Sequence, residues 1–132
     1  MSHPPQRRRV VAAAARKPPT ELRSVRVVIE EDADPDISYL EQDEFEDRLA
    51  AHKSGEFHFV GIHVEAEVLI ASTVQVLTSP GIWGVESDTD EAGFEQIAGD
   101  EWLALRDVLK DVGIPTDQLP LAPKHEWFEW RT

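Results

Sequence analysis

The chain has no cysteine, which removes disulfides, thiolate nucleophiles and cysteine-ligated zinc together. It has no apolar run near the roughly 18 residues that a membrane-spanning helix needs. The short stretch 10–15 does not serve as a signal-peptide core, because Arg16-Lys17-Pro18-Pro19 makes a poor cleavage region. These absences lead to the expectation of a soluble, cytoplasmic protein with no membrane partner. Cations are scarce as well: 13 Lys and Arg stand against 26 Asp and Glu, a formal charge of −13.

The scarcity is uneven. The first twenty residues hold Arg7, Arg8, Arg9, Arg16 and Lys17 and no acid. Residues 21–132 therefore hold the remaining 8 cations and all 26 acids, a net charge of −18. Pro4-Pro5 and Pro18-Pro19 bracket the basic segment and block regular structure, so residues 1–20 read as a flexible basic arm. The acidic body repels nucleic acid directly and steers toward basic protein surfaces. Its length suits one domain, and its hydrophobic content of 41% keeps it out of the disordered class.

The body reads as α+β in the order β-α-β-β-α. Val25, Val27 and Ile29 share one face of a strand over about 22–30. A helix over about 39–52 follows, with Leu40, Phe45, Leu49 and His52 on one side and Ser38/Glu41 or Asp43/Glu46 at capping-box spacing. Val60, Ile62, Val64, Ala66, Val68 and Ile70 alternate without a break, which only a strand explains. A strand over about 73–78 should point Val74 and Val76 inward, although Ala71-Ser72 supplies neither Gly nor Asn for a tight hairpin. Ser79-Pro80-Gly81 reads as a turn or bulge, after which the chain can re-enter the sheet at 82–85. Ala98, Trp102, Leu105, Leu109 and Val112 mark a second helix, capped at Ser87, Asp88 or Thr89 and stopped by Gly113. The expected architecture is a three- or four-stranded, mainly antiparallel sheet with both helices on one face. The domain spans 21–114, and a proline- and aromatic-rich tail spans 115–132.

No motif specifies a cofactor or a catalytic residue. There is no G-x-S-x-G elbow, and Gly81-Ile82-Trp83-Gly84 lacks the lysine and spacing of a phosphate loop. Asp32, Asp34, Asp36 and Asp43 match part of a calcium-loop spacing, but Ile37 stands where that loop requires glycine. His58 and His63 are five apart on one expected strand and point to opposite faces. His63, Glu65 and Glu67 on the wet sheet face offer a carboxylate pair about 7 Å apart for acid–base chemistry.

Two acidic blocks stand out. Residues 30–47 contain Glu30, Glu31, Asp32, Asp34, Asp36, Glu41, Asp43, Glu44, Glu46 and Asp47 with no cation, and residues 86–101 contain Glu86, Asp88, Asp90, Glu91, Glu95, Asp100 and Glu101 with none. Each lies where a strand hands over to a helix. If the handovers share one end of the sheet, their potentials add and imitate a nucleic-acid backbone toward a basic groove. Trp127, Phe128 and Trp130 in the tail are partner anchors or dock on the chain itself. The expected partner-binding set is Glu31, Asp32, Asp34, Asp36, Glu41, Asp43, Glu44, Asp47, Glu86, Asp88, Asp90, Glu91, Trp127 and Trp130.

The segments Asp34-Pro35-Asp36-Ile37-Ser38-Tyr39-Leu40-Glu41-Gln42 and Gly81-Ile82-Trp83-Gly84-Val85-Glu86-Ser87-Asp88 resemble small acidic proteins encoded by bacteriophages and other bacterial mobile elements. The resemblance covers about 22–112 and carries no catalytic motif, so it assigns no functional residue. It implies a host-directed accessory protein, such as an inhibitor of restriction or CRISPR machinery that mimics nucleic acid. The leading expectation is thus a non-enzymatic binding module for a basic partner. The alternatives are a divalent-metal module on the four aspartates, a small enzyme on the sheet face, and a homo-oligomeric structural protein.

Overall fold

The computed structural model describes residues 20–131, so the expected basic arm lies almost wholly outside the described residues. The class is α+β, as the sequence implies, but the sheet has five strands and includes a parallel pair. Strand β1 (Glu21–Glu31) pairs antiparallel with β2 (Phe59–Ile70), which pairs antiparallel with both β3 (Thr73–Thr78) and β4 (Ile82–Glu86). The last described element, β5 (Phe128–Arg131), lies parallel to β1 on its other side. The segment expected to be a separate tail therefore completes the sheet.

Strand β2 is long enough to hold two partners on one edge. Its second half faces β3 and its first half faces β4. Between them Ser79-Pro80-Gly81 breaks the ladder. The buried Ser79 hydroxyl accepts a hydrogen bond from Val64 N at 2.9 Å, and Ser79 N donates to Val64 O at 2.9 Å. A side chain thus replaces a missing backbone acceptor where Pro80 interrupts the strand.

The alternation in β2 sets up two cores. Val60, Ile62, Val64, Ala66 and Val68 are buried on one face with Val27 and Ile29, against Phe94, Ala98, Trp102, Leu105 and Leu109 of α2 (Glu91–Asp111). Phe59 points the other way and packs with Leu40 and Phe57 in a second cluster under α1 (Glu46–Lys53) and the two 3-10 turns before it, Ser38–Glu41 and Asp43–Phe45. The helices consequently cover opposite faces, whereas one shared face was expected. The reason lies at the start of β2, where Phe57 and Phe59 need cover as much as Val60 and Ile62 do. The far face is wet only beyond that point, and even Val28 on it is fully buried.

Three local expectations also change. Val74 and Val76 are outward and about half exposed, and Leu77 is the residue of β3 that packs on the core, because Leu77 is the neighbour of core-facing Ala66. The capping boxes at Ser38 and Asp43 do not form; neither 3-10 turn nor α1 has a side-chain cap. Helix α2 begins later than Ser87–Thr89 would place it, with Asp90 as its cap accepting from Gly93 N at 2.7 Å. It ends as expected, with Gly113 in the left-handed region at φ 99°.

Candidate functional site: an acidic end of the sheet

The register places both strand–helix handovers at one end of the sheet. Glu31 at the exit of β1 is opposite Val60, and Glu86 at the exit of β4 is opposite Phe59. Both acidic blocks therefore flank the first residues of β2. Backbone bonds seal the junction: Asp32 N donates to Phe59 O at 2.9 Å, and Ser87 N donates to His58 O at 2.8 Å.

Side chains tie the two blocks directly. Asp32 Oδ2 accepts from Gly84 N at 2.9 Å, across 52 residues of sequence. The Tyr39 hydroxyl donates to Glu86 at 2.5 Å, and Arg48 donates to Glu86 and to both oxygens of Asp88. Arg48 also lies 3.9 Å from the centre of the Phe57 ring, a cation–π contact. Burial and then the Glu86 carboxylate push the Tyr39 hydroxyl up to about 12. The Arg48 guanidinium holds the Asp88 carboxyl below its ordinary range.

These contacts sort the expected residues. Glu31, Asp34, Asp36, Glu41, Asp43, Glu44, Asp47, Asp88, Asp90 and Glu91 are exposed, whereas Asp32 and Glu86 are half-buried. Arg48 offsets part of the charge of Glu86 and Asp88, and Glu101 leaves the surface altogether to accept from Gly81 N at 2.6 Å. Trp127 is half-buried with its ring 5.0 Å from that of buried Trp102, so it is spent inside the fold. Trp130 meets the edge of Phe94 at 5.7 Å but stays 55% exposed.

A residue outside the expected set joins the site. Asp32, Asp34, Asp36, Tyr39, Trp83 and Gly84 line an open cleft of about 520 Å³. Trp83 is 53% exposed, and its ring lies over Gly61, where any Cβ would fall 2.2 Å from Cε3. The missing side chain at Gly61 lets the indole lie on the strand with acids beside it. Carboxylates around an exposed indole suit an alkylammonium or guanidinium group, through charge and through the ring face.

The alternative sites fare differently. Asp32, Asp34, Asp36 and Asp43 are not brought together as ligands: Asp32 Oδ1 accepts from Asp34 N at 3.1 Å, and Asp36 Oδ1 accepts from Ser38 N at 3.0 Å. Asp32 and Asp36 are turn-forming acceptors. On the sheet face Arg131 grips both oxygens of Glu65 at 3.2 and 3.0 Å, while Arg26 and His63 each lie 3.7 Å away. The Arg131 bonds hold the Glu65 carboxyl below its ordinary range, which suits an ion-pair partner rather than a proton carrier. His52 packs at an angle against Phe57 and edge-on against Phe59, and His58 is exposed. Among the described residues, one group of three donors comes within metal-binding reach, formed by Glu91, Glu95 and His125.

Compared with known proteins, the chain matches no protein family, no curated protein and no solved structure.

Proposed function

We propose that the chain is a non-catalytic binding module that presents its acidic sheet end to a lysine- and arginine-lined groove of a nucleic-acid-handling protein. In the setting that the sequence resemblance suggests, this is a phage-type inhibitor of restriction or CRISPR machinery. One observation carries the reading: Glu31 and Glu86 flank the start of β2, so the two acidic blocks meet at one end of the sheet. The cleft of Asp32, Asp34, Asp36 and Trp83 gives that end a place for a single basic side chain. Charge alone provides steering and speed of encounter; the indole and the fixed aspartates add geometry.

The test begins with capture of the partner from a bacterial host lysate on immobilised full-length chain. Binding to the purified partner is then measured against salt. Affinity should fall steeply between about 50 mM and about 500 mM salt, as contacts between charged surfaces do. Nucleic acid should compete with the chain for the partner. Trp83→Ala and the pair Asp34→Asn/Asp36→Asn should each weaken binding about tenfold or more, whereas Lys53→Gln should not. Flat affinity across that salt range, or no competition from nucleic acid, would remove mimicry.

A further inference from the structure

Glu91 and Glu95 stand one turn apart at the start of α2, and His125 reaches them from the turn His125–Trp127 just before β5. One ligand atom of each lies within 4.8 Å of the other two. His125 Nδ1 is 4.0 Å from Glu91 Oε1, too far for a hydrogen bond. Two glutamates at i, i+4 repel each other on a helix by a few tenths of a kcal/mol. The His125–Glu91 ion pair is at the outer limit of its range and leaves Glu95 without a direct partner in the cluster, so all three groups keep donor atoms turned toward one point.

The backbone that brings them together is well anchored. Trp127, two residues after His125, packs on Trp102, and Trp127 N donates to Lys124 O at 3.0 Å. The His125 ring sits 6.3 Å from that of Phe128. The donors themselves are exposed. A tetrahedral ion with bonds of about 2.0–2.1 Å sets its ligand atoms about 3.4 Å apart, so rotamer changes alone close the gap. Two clefts of about 380 and 440 Å³ adjoin the cluster and share Glu95, His125 and Phe128, leaving room for water or a further ligand at an open position.

We infer that Glu91, Glu95 and His125 form a divalent-cation site of the zinc class that clasps the segment leading into β5 to the first turns of α2. One imidazole nitrogen with two carboxylates suits zinc, nickel or copper rather than calcium, which takes six to eight oxygens. Glu91 and Glu95 come from the second acidic block, so the site borders the acidic sheet end proposed for partner binding, and its function is to hold the parallel strand in place.

The experiment is calorimetric titration of the full chain with zinc chloride in a non-chelating buffer. It is paired with thermal melts and hydrogen exchange over residues 125–131. One equivalent should bind, raise Tm and slow exchange in that segment. His125→Gln and Glu91→Gln/Glu95→Gln, all at exposed positions, should keep the metal-free Tm and lose affinity at least about tenfold. His58→Gln, which removes none of the three donors, should bind as the parent does. Undiminished zinc affinity in the cluster variants, zinc loss in His58→Gln, or no saturable binding to the parent chain would overturn the assignment.

Discussion

At the scale of single residues, two side chains do work that no pattern announces. Tyr39 is the sole tyrosine, and its hydroxyl is held by Glu86. A group whose folded pKa is raised stabilises the fold fully below its free value of 10.0 and loses that contribution as pH climbs through about 12. Ultraviolet titration of the native protein should therefore place the tyrosinate transition near 12, and Glu86→Gln should move it down toward 10.0. Ser79 supplies the acceptor for a buried Val64 N–H. Ser79→Ala leaves that donor unpaired and should cost about 1–3 kcal/mol in denaturant unfolding, whereas Ser72→Ala should cost far less. The sequence marks Ser79-Pro80-Gly81 as a break. That the serine repairs the ladder depends on β3 and β4 sharing one edge of β2, a long-range fact invisible in three residues.

At the scale of elements, strong periodicity proved readable, as did the short strands at 73–78 and 82–85, whereas the shortest one, Phe128–Arg131, did not. The six-fold alternation in β2 and the apolar stripe of α2 each rest on more than ten residues, enough for the period to declare itself. Strand β5 has four residues, Phe-Glu-Trp-Arg, following three prolines, and that is too short to separate a strand from a tail. The placement of α1 was hidden for another reason: β2 begins apolar on both faces, so neither face is marked as the one left open. The β2–β3 hairpin forms despite its residues. Ala71 and Ser72 take φ of 49° and 71°, the left-handed pair that a two-residue turn needs. Since such angles cost non-glycine residues about 1–2 kcal/mol each, Ala71→Asn/Ser72→Gly should stabilise the protein by about 1–2 kcal/mol, read as a higher denaturant midpoint at unchanged slope.

At the scale of the whole molecule, charge was the most legible property and its local cancellation the least. Counting locates both acidic blocks, but not that Arg48 spans Glu86 and Asp88 or that Asp90 and Glu101 are occupied as backbone acceptors. What remains exposed on the sheet end is still a dense negative surface on a chain of net charge −13. Self-repulsion of that kind weakens the compact state and is screened within about 10 Å at 0.1 M salt. Tm at neutral pH should thus rise as sodium chloride is raised from about 20 to about 200 mM. Replacing Glu44 and Asp47 with lysine should flatten that rise.

The order β3-β2-β1-β5 joins Val27 to Phe128, near opposite ends of the described chain. During synthesis β1 emerges early, yet its neighbour on that flank is translated long after it. Until residues 128–131 clear the ribosome, the nascent sheet carries an unprotected backbone edge beside Val27 and Ile29. A transcript cut just upstream of that point would yield a nearly complete domain with a row of free amides and carbonyls, primed to add strands from its neighbours.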